Sequence, residues 1–491
     1  MAVSLDTLVS LSKRRGFIFP SSEIYGGLGA VYDYGPLGVE LKRNVRERWW
    51  RAMVYEHDDV VGLDAAILMH PRVWEASGHV GAFNDPMIDD KASKKRYRAD
   101  TLIEDHIARL RKKNKAEQAD AVYARLVEAL NADGPGAPGQ AAAAALGRII
   151  QDEEIRSPDS GAFDWTDVRQ FNLMFETRVG AVDGDAIYLR PETAQGIFVH
   201  FGTVQQTSRQ QIPFGIAQIG KAFRNEVVAR QFVFRMREFE QMEMQYFVEP
   251  GSQMAHYEAW ADKRMAWHVS NGVRPSRLRW HDHEKLAHYA DAAKDVQYEF
   301  PFGWQEVEGI HSRTDYDLAR HAEYSGKKTE YFDPQTKERY TPYVVETSVG
   351  LDRTVLMLLA DAYHEEEVPT AKEGKTEQRS VLRFHPAIAP VNAAVFPLVR
   401  KDGMPERAQA IAADLRGRLN VAVDEKGAVG RRYRRADEIG TPFCLTVDGQ
   451  TLEDGTVTVR DRDTMRQDRI PAENAAAYIA DATAAWTPPA A

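Results

Sequence analysis

The stretch Phe223–Val248, FRNEVVARQFVFRMREFEQMEMQYFV, carries four arginines and four glutamates among strongly β-forming residues. Its second half alternates with a period of two. Phe239, Gln241, Glu243 and Gln245 share one side of a strand, and Met242, Met244, Tyr246 and Val248 share the other. The preceding segment, GIAQIGKAFRNE, behaves alike. Gln218, Gly220, Ala222, Arg224 and Glu226 fall together, while Ala217, Ile219 and Phe223 fall opposite, with Lys221 as an exception. A charged face on an antiparallel pair is ordinarily solvated surface. This one combines Arg, Glu, Gln and Phe in place of Lys, Thr and Ser, a mixture suited to gripping an anion and a ring.

Two further segments extend the pattern. In YVVETSVGLDRTVLMLLADAY a strand runs into an apolar helix, Glu346 and Ser348 point the same way, and Gly350 makes the turn. Arg353 then falls in the first helical turn, where the helix dipole disfavours a cation unless it binds an anion. YLRPETAQGIFVHF puts Pro191 at a helix start with Glu192 beside it, ordinarily a capping arrangement.

The remainder sets bounds. A chain of 491 residues predicts two or three domains, and a net charge of -10 argues against broad DNA binding. No apolar run is long enough to span a bilayer. Arg14 and Arg15 lack the h-region of an export signal. The single cysteine, Cys444, excludes an intramolecular disulfide and a thiolate-rich zinc site, in keeping with a reducing cytoplasm. From Tyr32 to Trp50 a turn-rich loop leads into a helix. Residues 89–164 read as a helical insertion with a flexible linker, NADGPGAPGQ, and 365–380 as a polar boundary. After Pro386 the strand–helix–strand–strand alternation predicts a separate α/β module.

Taken in order, these segments resemble the class II aminoacyl-tRNA synthetases. YDYGPLGVELKRNV looks like motif 1, FRNEVVARQFVFRMREF like motif 2 and SVGLDR like motif 3. FNLMFET, YLRPETAQGIF, REFEQMEMQYF and VVETSVGLDR resemble the glycyl branch in particular, which commonly carries serine at the position of Ser348. The resemblance runs from about Arg15 to Arg469. It implies an α+β fold: a catalytic domain with an antiparallel sheet flanked by helices (1–88 and 165–380), the insertion (89–164), and an α/β anticodon-binding domain (386–491).

The resemblance also implies glycine activation by ATP, transfer to tRNA, a cytoplasmic homodimer, and no membrane or DNA partner. It assigns the α-phosphate to Arg224, and the bent triphosphate to Arg235, Arg313 and Arg353. Adenine falls between Phe239 on one side and the Arg353 guanidinium on the other, with Glu226 accepting from its amino group, and Asn225, Phe234, Val307 and Gly350 in the same ATP set. For magnesium it implies Glu306 and Glu346. The glycine ammonium would meet Glu192, Glu243 and Glu346 beside Ser348, with Arg98, Phe239, Glu240, Gln241 and Gly350 completing that pocket. His79 reads as structural. In GRRYRRADEIG, the arginines Arg431, Arg432, Arg434 and Arg435 around Tyr433 are expected to meet tRNA, although such a cluster is more commonly a solvated loop. The basic insertion is expected at the acceptor stem. Two alternatives stand beside this reading. Another class II synthetase is opposed by Glu192, Glu243 and Ser348. A non-catalytic accessory protein is opposed by the retained Arg224, Arg235, Arg313 and Arg353.

Overall fold

The computed structural model describes residues 3–133, 139–180, 184–227, 231–283, 286, 290–369 and 376–488. Its centre is a seven-stranded sheet of β1 (Val60–Gly62), β2 (Phe214–Phe223), β3 (Glu238–Val248), β4 (Leu278–Asp282), β5 (Ala292–Phe300), β6 (Gly303–Thr314) and β7 (Tyr343–Gly350). The spatial order is β4-β5-β6-β7-β3-β2-β1, antiparallel throughout except for β1 against β2.

The alternation of β3 decides the two faces. Met242, Met244, Tyr246 and Val248 enter an apolar core with Val345, Val349 and Ile310. Helix α1 (Pro36–Trp50) and the apolar helix α3 (Leu351–Ala362) cover that face. Pro36 starts α1 with its ring pre-set for the helix. The first turn of α1 lies so close to the chain at Phe17 that a Cβ on Gly38 would stand 1.8 Å from the Phe17 carbonyl oxygen.

Helix α2 (Ala194–Ser208) begins later than the sequence suggests. Thr193 is its N-cap, so Pro191 and Glu192 lie in the approach to the helix. Glu192 is thereby released from a capping role and can reach the polar face of the sheet.

The inserted segment has a core of its own, running from Ile88 through Leu102, Ile103, Leu126 and Leu146 to Trp165. Helices Ala99–Lys112, Ala116–Leu130 and Gln140–Asp152 build it, and a small sheet of Asn84–Asp89, Arg96–Arg98 and Arg169–Asn172 joins it to the rest. The centre of the linker, 134–138, lies outside the described residues, as do 228–230 in the motif 2 loop.

The C-terminal module is a five-stranded sheet with parallel pairs at Ala393–Pro397 and antiparallel pairs beyond Phe443–Val447. Two sequence expectations change here. The polar boundary is an antiparallel hairpin, Tyr363–Pro369 with Thr376–Leu382, whose tip 370–375 lies outside the described residues. GRRYRRADEIG, which the sequence also allows as a solvated loop, is mostly a helix, α4 (Val429–Glu438).

Candidate active site

The register of β2, β3 and β7 aligns the polar face seen in the sequence. Glu243 stands opposite Gln218 on one side and Ser348 on the other, and Gln245 stands opposite Glu346. These residues are nearly all buried, which a solvated face would not be. Gly220 lies on the same face, where the Arg190 guanidinium crosses so closely that a Cβ would be 2.2 Å from it.

One cleft gathers most of the residues expected at ATP. Arg224, Glu226, Phe234, Arg235, Phe239, Glu306, Gly350 and Arg353 line it, with Gln241 and Ser348 also in its wall. Arg224 donates from Nε to the Pro191 carbonyl at 3.1 Å, and its guanidinium lies 5.3 Å from the Phe239 ring centre and 5.4 Å from that of Phe83. Arg353 sits 4.4 Å over Phe234 and pairs with Glu306 at 3.2 Å, so the ring it covers is Phe234. Arg235 is 3.6 Å from Glu226. Gly350 has φ −73°, which any residue adopts; a Cβ there would press on Arg353 Cδ at 3.3 Å.

The Glu192, Glu243 and Glu346 carboxylates form a second group on this face. Glu243 is 2% exposed and Glu346 4%. Thr193 Oγ1 donates to Glu243. Gln245 Nε2 donates to Glu243 at 3.0 Å and to Glu346 at 2.7 Å. His311 and Arg313 also hold Glu346, at 2.8 and 3.2 Å. Glu192 meets His79 Nε2 at 3.4 Å and accepts from Gln195 at 2.9 Å. Burial, followed by Glu346 and Glu192, pushes the Glu243 carboxyl well above the usual range. Burial also opposes charge on Glu346, but Arg313, then His311 and Gln245, outweigh it and hold that carboxyl down. Glu192 is likewise held at about 2, with burial overcome by His79, Arg313 and Gln195. Three carboxylates are thus crowded on this face, and burial together with Glu346 and Glu192 opposes charge on Glu243.

Several sequence expectations need correction. Glu240 turns to the opposite face because its parity is even; it pairs with Lys42 at 3.1 Å and only edges the cleft. Val307 is a core residue, so its side chain does not meet ATP. Arg313 donates to Asp317 and pairs with Glu346, so it braces Glu346 on this face. Glu306 and Glu346 sit in separate ion-pair sets, and Glu346 has both oxygens engaged; the pair does not fit a joint magnesium site. Among the described residues no group of three or more His, Cys, Asp or Glu side chains could hold a metal. Arg98 pairs with Asp85 and Asp100 and lies within electrostatic reach of Glu226. Asn225 lies outside the cleft lining, with its backbone N–H on the Leu173 carbonyl.

The tRNA expectation changes most. Arg432 is buried, donating to the Pro397 and Gly427 carbonyls. Arg434 pairs with Glu377 and Asp437, and Arg435 with Asp424. The Tyr433 hydroxyl is bonded to Thr446 and its ring packs on Phe396, so it is not a free stacking platform. Arg431 alone of the four is exposed.

Sequence reasoning misses the supporting residues. His79 reads as structural in the sequence, yet it pairs with Glu192. Thr193 and Gln195 flank Glu192 with no periodic signal. Asp352 accepts from Tyr34 Oη at 2.6 Å, from Lys42 at 2.9 Å and from the Glu240 N–H at 2.7 Å, bolting the first turn of α3 to α1 and β3. Its position beside Arg353 is the only hint of this in the sequence.

Fold and site together define a class II aminoacyl-tRNA synthetase. Residues 176–362 match the family described as tRNA synthetase class II core domain (G, H, P, S and T), residues 85–173 match Glycyl-tRNA synthetase insertion domain 1, and residues 392–482 match an anticodon binding domain. A solved prolyl-tRNA synthetase from Cryptosporidium parvum, complexed with L-proline and AMP, shares the fold: TM-score 0.58 at 12% identity, covering 98% of this chain and 75% of that one. The glycine–tRNA ligase of Chlorobaculum tepidum is 55% identical over 97% of this chain and 99% of its own length. That of Treponema denticola is 50% identical over 96% and 95%. The chain belongs to the glycine–tRNA ligase family.

Proposed function

We propose that this chain activates glycine with ATP and transfers the glycyl group to the 3′ end of its tRNA, with the nucleotide in the Arg224–Arg353 cleft and the ammonium against Glu192, Glu243 and Glu346. Membership of the glycine–tRNA ligases carries the activity, and the three carboxylates, Glu243 and Glu346 buried and Glu192 half-buried, support the choice of substrate. A glycine carboxylate oxygen attacks the α-phosphorus of ATP. The bond from that phosphorus to the bridging oxygen breaks, and pyrophosphate leaves with the electron pair. Arg224 meets charge developing on the α-phosphate, and Arg235 and Arg353 hold the outer phosphates. Glycine lacks a side chain to grip, so the ammonium is the handle and crowding at Ser348 and Gln241 excludes a β-carbon.

Magnesium, when bound, would offset phosphate charge; Glu306, half exposed beside Arg353, is the carboxylate placed to share it with water and phosphate. The anticodon module is the expected tRNA partner surface. The Val39, Arg43 and Arg46 side of α1 is the proposed face for a second copy, which sedimentation at micromolar concentration would test. Among the described residues no helix is long and apolar enough to cross a membrane, and the proposed compartment is the cytoplasm.

Replacing Glu243 with Gln tests the pocket. The glycine KM should rise, because a desolvated ammonium loses an ionic partner contributing roughly 1.5–3 kcal/mol, while the ATP KM stays. A primary loss of ATP affinity or of the fold would reject the assignment.

A further inference from the structure

Gln245 is a fully buried amide in the middle of β3, and nothing in the chemistry above gives it a task. Its NH2 group donates one bond to Glu243 Oε1 at 3.0 Å and another to Glu346 Oε2 at 2.7 Å. Its carbonyl oxygen is buried with no hydrogen-bond partner among the described residues. Turning the amide over would set that oxygen against the ionised Glu346 carboxylate, so charge fixes the orientation. A buried polar atom left unpaired is costly, and such an atom calls for an explanation.

We propose that Gln245 is a specificity-determining positioning residue: its amide spaces Glu243 and Glu346 for the substrate ammonium. This rests on the pocket assignment proposed above. Two carboxylates on adjacent strands repel each other once both are ionised, as an ammonium between them requires. A neutral double donor holds them together without neutralising either. A lysine at this position would fill the cation site from within, and an aliphatic residue would leave the two charges without a bridge. Thr193 holds Glu243, and His311 and Arg313 hold Glu346. Gln245 bonds to both carboxylates.

The test uses full-length protein and pyrophosphate-exchange rates with glycine and ATP varied separately. Gln245→Met keeps the length and removes both donors. The glycine KM should rise about tenfold or more, as expected for losing hydrogen bonds to charged groups, with the ATP KM within about twofold. Should that variant fail to fold, Gln245→Asn retains the amide but shortens its reach, and the same split is expected. Unchanged constants, or equal losses for glycine and ATP, overturn the proposal, the second outcome because it marks a merely structural role. Glu243→Gln run in parallel separates the two levels. If it leaves the glycine KM unchanged, the pocket assignment itself fails. If it raises that KM and the Gln245 variants do not, only the bridge fails.

Discussion

Arg224 is held at Nε by the Pro191 carbonyl, which orients its fork toward the cleft before substrate arrives. Arg224→Ala should therefore fold normally and lose about 2.7–4 kcal/mol of transition-state stabilisation, as when an oxyanion donor is removed. Near-normal pyrophosphate exchange would contradict this. Glu192 supplies a pH prediction. Its folded pKa of about 2 lies below the ordinary value of 4.5, so its contribution to stability is present above pH 4.5 and is lost as pH falls toward 2. Melting temperatures of the parent and Glu192→Gln should converge over that window; a constant gap would show that Glu192 is not the group titrating. At this scale the period of two is informative. It places Gln241, Glu243 and Gln245 on one face and gives Glu240 the opposite parity, although the resemblance keeps Glu240 in the glycine set. Parity cannot show which buried arginine is already satisfied, which is why Arg432 looks like a ligand contact in the sequence.

Among the elements, the joint between α1 and α3 is the least visible in the sequence and among the most constrained in space. Lys42 lies with its ammonium 4.3 Å from the centre of the Tyr34 ring and pairs with Asp352 and Glu240. All three motifs meet there, since Lys42 belongs to motif 1, Glu240 follows motif 2 directly and Asp352 belongs to motif 3. Lys42→Met strands two buried carboxylates and should cost about 3–5 kcal/mol, the range for breaking a buried ion pair. Urea unfolding measures it, and a shift within error would mean that water replaces the ammonium. The helix, strand and turn on each side of this joint are legible in the sequence because each has its own period. The joint itself is not, because residues 42, 240 and 352 are related only through the fold. Helix α4 is hidden for a similar reason: its arginines resemble a solvated run until Asp424, Asp437 and Glu377 are brought beside them.

Across the whole molecule, the C-terminal module is docked against the catalytic domain by charge. Arg14 and Arg15 of the N-terminal helix pair with Glu438 at the end of α4, and Arg379 of the hairpin is buried against Asp437. Deleting everything after Pro386 would therefore expose Arg379 as well as remove the anticodon module, and a loss of activity in that truncation would not isolate tRNA recognition. Point changes are cleaner. Arg432→Met should lower the melting temperature, at a cost of about 1–3 kcal/mol for the unpaired carbonyls it leaves, with little change in glycine activation. A stable variant with weakened tRNA binding would return Arg432 to the RNA surface. The central claim is the choice of amino acid, and ATP–pyrophosphate exchange across a panel of amino acids tests it most directly. Glycine should support exchange, and alanine, serine and proline should not at matched concentration. Exchange driven by any of those three as well as by glycine, or none with glycine, would contradict the account.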